Sequence, residues 1–152
     1  MRRSAIGGLL AGVTLMAGCT ATDVQVPEPT PGEQAAELCR TLVDDVPRTL
    51  FGEAEVSEPG SDLVAAWGDP VIALRCGVDR PDALRPDSEL MVVNDVAWLP
   101  EPPDEPNLYT AVGHEAYVEM SIPPAYGAPA EGLVEISDLI NENIPALPGG
   151  KL

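Results

Sequence analysis

The chain has 152 residues, and its 25 Asp and Glu residues outnumber its 8 Lys and Arg residues, so its formal net charge is −17. This charge excludes nucleic acid as a partner, because a basic surface is needed to displace counterions from phosphates. It also disfavours electrostatic docking on anionic lipid. Apolar residues make up 45% of the chain, which is enough for the core of one domain.

The N-terminus has the pattern of a secretory signal. Basic residues in Met1–Arg3 precede an apolar run over Ala5–Gly18, which at about 14 residues is too short to span a bilayer. The run ends in Leu15-Met16-Ala17-Gly18-Cys19, which resembles a bacterial lipobox. We therefore predict a lipoprotein signal peptide over residues 1–18 and lipidation of Cys19 with fatty acyl chains such as palmitate. The alternative is an ordinary signal peptide with an incidental cysteine.

Residues 19–32 are expected to form the lipidated cysteine and a proline-rich tether. Pro27, Pro29 and Pro31 favour an extended polyproline conformation, in which the thirteen residues after Cys19 would reach about 40 Å at about 3.1 Å each. A diacylglyceryl group would hold the protein on the outer face of the cytoplasmic membrane. The prediction divides the remainder into one domain over residues 33–145 and a C-terminal tail over 146–152.

Apolar spacing within this domain predicts two helices and several strands. The first helix begins at Glu33 and ends before Pro47, and the second runs from Pro129 to about Asn143. Strands are expected over the following segments: 63–67, 69–78, 90–93, 96–99, 109–112 and 117–122. The predicted turns are Gly68–Pro70, Asn94-Asp95 and Gly113–Ala116.

This order predicts the α+β class. The sheet would be small and antiparallel, with about five to six strands, and would be flanked by the N-terminal and the C-terminal helix. Val118, Met120 and Ile122 would face inward from the last strand, because they alternate with Tyr117, Glu119 and Ser121.

Two cysteines remain once Cys19 is assigned to the lipobox. Cys39 lies on the apolar stripe of the first helix, and Cys76 shares a strand face with Ile72 and Leu74. An even pair in an exported domain indicates a disulfide, here one that would link helix to sheet. Two free buried thiols are the alternative. The sequence contains no Cys-x-x-Cys motif of the kind that would indicate a redox or zinc site.

Catalytic and metal-binding patterns are weak in this sequence. The single histidine, His114, lies in a predicted turn beside Glu115, where a solvated turn residue is the simplest interpretation. The loop Glu101–Pro106 is acidic and proline-rich, but it lacks the ligand spacing of a calcium loop. Trp67 and Trp98 are expected to pack in the core or at its rim. We predict no enzyme activity, no metal and no cofactor.

One acidic surface stands out on the second helix. Glu131, Glu135, Asp138 and Glu142 recur at helical intervals opposite Leu133, Ile136 and Ile140. Like charges four residues apart cost a few tenths of a kcal/mol per pair, and a cationic partner would relieve that repulsion. These four acids are the candidate interaction residues, and the alternative is a solvated face that keeps the protein soluble.

Several segments together resemble a known family. They are Trp67–Pro81, Leu84–Ser88, Val93–Trp98, Tyr109–Glu119 and Pro129–Val134. The pattern is similar to that of uncharacterised secreted lipoproteins of high-GC Gram-positive bacteria, a domain of unknown function with the family number three-five-one-five. The resemblance spans residues 36–143. It implies an envelope location but supplies no activity and no functional residues.

The leading hypothesis is a membrane-anchored, extracytoplasmic lipoprotein that acts as a non-catalytic binding or interaction module of the cell envelope. Its partner would be an envelope protein or a small ligand, in addition to the membrane that holds its anchor. A structural accessory subunit of a membrane complex is the alternative. An envelope hydrolase that uses carboxylates or His114 is the third hypothesis.

Overall fold

A computed structural model describes residues 24–152, so Cys19 and the predicted signal peptide lie outside the described residues. The elements in that range follow in chain order: α1 (Glu33–Asp44), β1 (Thr49–Leu50), β2 (Glu53–Ala54), β3 (Val64–Trp67), β4 (Ile72–Val78), β5 (Met91–Val93), β6 (Val96–Glu101), β7 (Leu108–Val112), β8 (Tyr117–Ser121) and α2 (Ala130–Asn143). Short 3-10 turns follow at Pro124–Tyr126 and Pro148–Gly150. The predicted α+β class is confirmed.

Six strands form one sheet in the order β3-β4-β8-β7-β6-β5, and all neighbours are antiparallel. The hairpin β7–β8 pairs with β4, so the connection over residues 79–90 must cross the sheet to reach β5 at the opposite edge. The turn Asn94-Asp95 has φ values of 45° and 65°, the left-handed pair that a two-residue hairpin requires. The predicted turns Gly68–Pro70 and Gly113–Ala116 also join the expected strands.

Both helices pack on one face of this sheet. Ala36, Cys39 and Leu42 are buried from α1, and Leu133, Ile136 and Ile140 are buried from α2. They meet the inward side chains of the strands, including Val118, Met120 and Ile122, whose orientation is as predicted. We call the opposite surface of the six-stranded sheet the outer sheet face.

The alternation predicted for β4 holds only as far as Cys76. A bulge between Cys76 and Val78 shifts the pairing with β8, and Gly77 at its centre has φ of 90°. Val78 is therefore half-buried, whereas Ile72, Leu74 and Cys76 are fully buried. The extra residue of a bulge reverses the face on which the following side chains lie.

The predicted disulfide is present between Cys39 and Cys76. Their sulfur atoms are 2.02 Å apart, their Cα atoms are 5.3 Å apart, and both residues are fully buried. The bond joins the centre of α1 to β4, and so links the helix layer covalently to the sheet.

Removing this bond should destabilise the domain. The cross-link closes a loop with a sequence separation of 37, for which the chain-entropy model gives about 4 kcal/mol. We expect the double variant Cys39→Ala/Cys76→Ala to lose most of that free energy of unfolding in guanidinium titrations. Equal midpoints for the oxidised protein and the double variant would contradict this expectation.

Both tryptophans belong to the core. Trp67 and Trp98 are fully buried. The indole N–H of Trp67 donates to the carbonyl oxygen of Pro47 at 2.8 Å, and that of Trp98 donates to Oγ of Ser137 at 3.0 Å. Their polar atoms are satisfied within the fold, so neither ring is presented as a platform for a ligand.

A two-stranded hairpin, β1–β2, was not expected from the sequence. Its turn contains Phe51 and Gly52 with φ of 53° and 77°. The Phe51 ring lies 5.7 Å from the Tyr126 ring and packs directly over Gly132 of α2. Strands of two residues leave too short a pattern to recognise, and Phe51 packs this hairpin against α2.

Gly132 is the position in α2 where the ring approaches the backbone. A Cβ atom there would lie 2.3 Å from the ring atom Cε2 of Phe51. Gly132→Ala should therefore lower the free energy of unfolding by up to about 2 kcal/mol, because an approach this close places the clash at the upper end of about 1–3 kcal/mol, above the gain in helix propensity of about 1 kcal/mol. Val134→Ala on the exposed side of α2 is the control, and a stabilised Gly132→Ala protein would contradict the contact.

The described part of the predicted tether is packed on the domain, which corrects the boundary at residue 33. Val26 is buried, and its amide donates to the carbonyl oxygen of Pro59 at 2.8 Å. Pro29 is also buried, and Pro31 packs against Gly77. Apolar contacts and hydrogen bonds hold this segment on the domain, so residues 24–32 are a part of the domain.

The predicted C-terminal tail is also part of the domain. Ala146 forms a β-bridge with His114, and the amide of Leu147 donates to the carbonyl oxygen of Gly113 at 2.8 Å. Leu152 packs against an apolar cluster on the outer sheet face that contains Leu84 and Leu99. The boundary predicted at residue 145 is therefore wrong, because backbone pairing with the β7–β8 turn continues beyond it.

Candidate functional site

An open groove lies on the outer sheet face beside the N-terminal segment. Its volume is about 640 Å³, and its walls are formed largely by Val24, Val26, Val71, Ala73 and Leu108. The segment over residues 24–27 forms one side, and strands β4, β7 and β8 form the other. Sequence reasoning missed this groove, because residues 24–32 were expected to extend away from the domain.

An ion pair crosses the floor of the groove. Arg75 and Glu119 are register partners on β4 and β8, and Nη1 of Arg75 lies 2.8 Å from Oε1 of Glu119. Nε of Arg75 donates to the carbonyl oxygen of Pro27, also at 2.8 Å. The guanidinium of Arg75 therefore binds both Glu119 on the neighbouring strand and the N-terminal segment.

Arg75→Met should loosen this segment while leaving the sheet folded. We expect the Val26 amide to exchange with deuterium about fivefold faster, the effect of losing a hydrogen bond worth about 1 kcal/mol. Glu119→Gln is the matched control, since it keeps the bond from Arg75 to Pro27. Unchanged exchange at Val26 in Arg75→Met would show that Arg75 does not hold the segment.

The four acids predicted on α2 lie together on its solvent-exposed side. Glu131, Glu135, Asp138 and Glu142 are all exposed. Asp138 differs from the others, because its Oδ1 accepts a hydrogen bond from Nδ2 of Asn94 at 2.8 Å. Asn141 donates from Nδ2 to the backbone oxygen of the same Asn94 at 2.7 Å. The β5–β6 turn thus fixes the C-terminal half of this surface.

The charge on α2 is unbalanced. The helix contains no Lys or Arg, and its last turn has no basic residue to interact with the negative end of the helix dipole. Val134 of the same helix is 39% exposed and is one of the large apolar side chains that the described chain exposes. A cationic surface with an apolar contact would complement this face of α2.

His114 does not lie in a solvated turn, which corrects the sequence interpretation. It is only 7% exposed, and its Nδ1 lies 3.3 Å from the carbonyl oxygen of Val112. The C-terminal segment covers it through the bridge to Ala146. Its neighbour Glu115 instead accepts a hydrogen bond from Nε2 of Gln34 at 2.9 Å, so the two residues do not share a site.

The acidic loop predicted over residues 101–106 connects β6 to β7. Asp104 and Glu105 are exposed, and the amide of Asn107 closes the loop on the carbonyl oxygen of Glu101. Within residues 24–152, no group of three or more His, Cys, Asp or Glu residues is arranged to hold a metal ion.

A second cavity, of about 510 Å³, is lined in part by prolines and by Tyr109. The Tyr109 hydroxyl donates to the carbonyl oxygen of Pro106 at 2.8 Å, and burial raises the pKa of this tyrosine. The pKa of Tyr126 is also raised, first by burial and then by the negative charges of Glu53 and Asp69. Both hydroxyl groups donate hydrogen bonds to backbone carbonyl oxygens and so stabilise the fold.

Comparison with protein families gives one finding that covers almost the whole chain. A family model described as a protein of unknown function (DUF3515) matches residues 4–149. The chain belongs to this family. The searches of curated proteins and of solved structures each returned no significant match.

Membership of DUF3515 agrees with the resemblance seen in the sequence and adds no activity to it. Within residues 24–152, neither helix is long and apolar enough to cross a membrane.

Proposed function

We propose that this member of DUF3515 is a lipid-anchored, extracytoplasmic lipoprotein that acts as a non-catalytic binding module of the cell envelope. The outer face of the cytoplasmic membrane is its site of action, and Cys19 carries the anchor. The contact surface is the exposed side of α2, and the partner is an envelope protein with a cationic surface.

The disulfide supports the location. Cys39 and Cys76 are bonded and fully buried, and disulfides of this kind persist in oxidising compartments. The lipobox pattern over Leu15–Cys19 supports an anchor in the same compartment. Together they favour a chain that folds after export.

The asymmetry of α2 is the observation that carries the binding role. Its buried side completes the core, while its exposed side holds four carboxylates without a basic residue. The bond between Asp138 and Asn94 fixes part of this surface before any partner arrives, which lowers the ordering cost of association.

In-cell crosslinking of the anchored protein tests this role. We expect an envelope protein to be crosslinked to the native chain and to be lost from the variant Glu131→Gln/Glu135→Gln/Asp138→Asn/Glu142→Gln. The matched control, Glu33→Gln/Glu37→Gln/Asp44→Asn/Asp45→Asn, removes four acids at and just beyond α1 and should keep the crosslink. Equal yields from the two variants would show that the α2 surface is only solvated.

A further inference from the structure

We infer that the outer sheet face, with its groove beside Val24, is the side of the domain that lies against the lipid bilayer, and that the exposed side of α2 points away from the membrane. This inference rests on the proposed anchor at Cys19. It adds an orientation and a second contact surface to the proposed function.

Only a short length of chain is left between the anchor and the domain. Because residues 24–32 pack on the domain, only residues 20–23 separate Cys19 from the packed chain. From the Cα atom of Cys19 to that of Val24 the chain spans at most about 18 Å. The sequence alone suggested a reach of about 40 Å from thirteen residues.

This reach is shorter than the domain is wide. A domain of this length has a radius of gyration of about 14 Å and hence a diameter of about 36 Å. The tether is therefore about half as long as the domain is wide. It is too short to pass around the sheet and the helix layer, so the side on which Val24 lies must remain next to the lipid.

Val24 lies on the outer sheet face. Val24 and Val26 pack with Val64 and Ala66 of β3 and with Ala73 of β4, residues that face away from the helices. The chain that leads toward Cys19 thus leaves the domain from the wall of the groove that contains Val24. Helix α2 lies on the other side of the sheet.

Charge agrees with this orientation. Of the six Lys and Arg residues in the described range, Arg75 lies on the outer sheet face. Arg80, Arg85 and Lys151 flank Leu84 and Leu152, which pack on the same face. Acidic residues accompany these cations, whereas α2 has acids alone. Turning α2 away from the bilayer therefore reduces repulsion from anionic lipids, which is strong only within about 10 Å at moderate salt.

Fluorescence quenching on vesicles tests the orientation. The full lipidated protein, with its disulfide intact, is reconstituted into vesicles of phosphatidylglycerol and phosphatidylethanolamine that contain a lipid spin-labelled at its headgroup. Two variants carry a fluorophore on one added cysteine at an exposed position, Glu28→Cys near Val24 and Glu135→Cys on α2. We expect the label at residue 28 to lose most of its fluorescence and the label at residue 135 to keep most of it.

A longer tether is the matched control. Insertion of twenty Gly and Ser residues between Thr22 and Asp23 should restore the fluorescence at residue 28, because the domain then leaves the surface. Equal quenching of the two labels with the native tether would overturn the orientation, and persistent quenching at residue 28 after the insertion would overturn the short tether as its cause. The mass of the N-terminal peptide separates the two proposals, since an unmodified Cys19 overturns the anchor itself, while an acylated Cys19 with equal quenching overturns the orientation alone.

Discussion

The bond between Cys39 and Cys76 determines how the two layers of this domain are held together. It joins the middle of α1 to the central part of β4, and both sulfur atoms are removed from water. The chain contains only six aromatic residues, one Phe, two Trp and three Tyr. With few large side chains to fill the core, the covalent link between helix and sheet adds about 4 kcal/mol in the chain-entropy model.

Strand β4 connects this core to the outer surface. Cys76 points toward the helices, while its neighbour Arg75 points to the other side and holds both Glu119 and the N-terminal segment. The same strand thus holds the helix layer through Cys76 and the segment that leads toward Cys19 through Arg75. The length of the tether, and with it the proposed orientation on the membrane, depends on Arg75 and on the amide of Val26, which hold residues 24–32 on the domain.

Local patterns were sufficient to predict the main elements. The helical interval between Cys39 and Leu42 on the apolar stripe of α1 and the turn Asn94-Asp95 are both short-range signals, and the structure bears them out. The disulfide was predictable for the same reason, since each cysteine lies on an apolar face that can be recognised within its own element.

Long-range packing could not be predicted in the same way. Residues 24–32 have the composition of a proline-rich tether, and only the folded domain offers Pro59 of the β2–β3 loop and Arg75 of β4 as partners for them. His114 is buried because Ala146, far along the chain, pairs with its turn. The acids of α2 were recognised from helical spacing, but the link between Asp138 and Asn94 depends on how α2 crosses the β5–β6 turn.

The most direct test of the proposed function is the intact mass of the protein recovered from the membrane fraction of cells that produce it. We expect a chain that begins at Cys19, carries a diacylglyceryl group, and is two hydrogens lighter than its reduced form because Cys39 and Cys76 are bonded. A protein that retains Met1, with unmodified cysteines and without acyl chains, would contradict the proposal of a lipid-anchored module outside the cytoplasmic membrane.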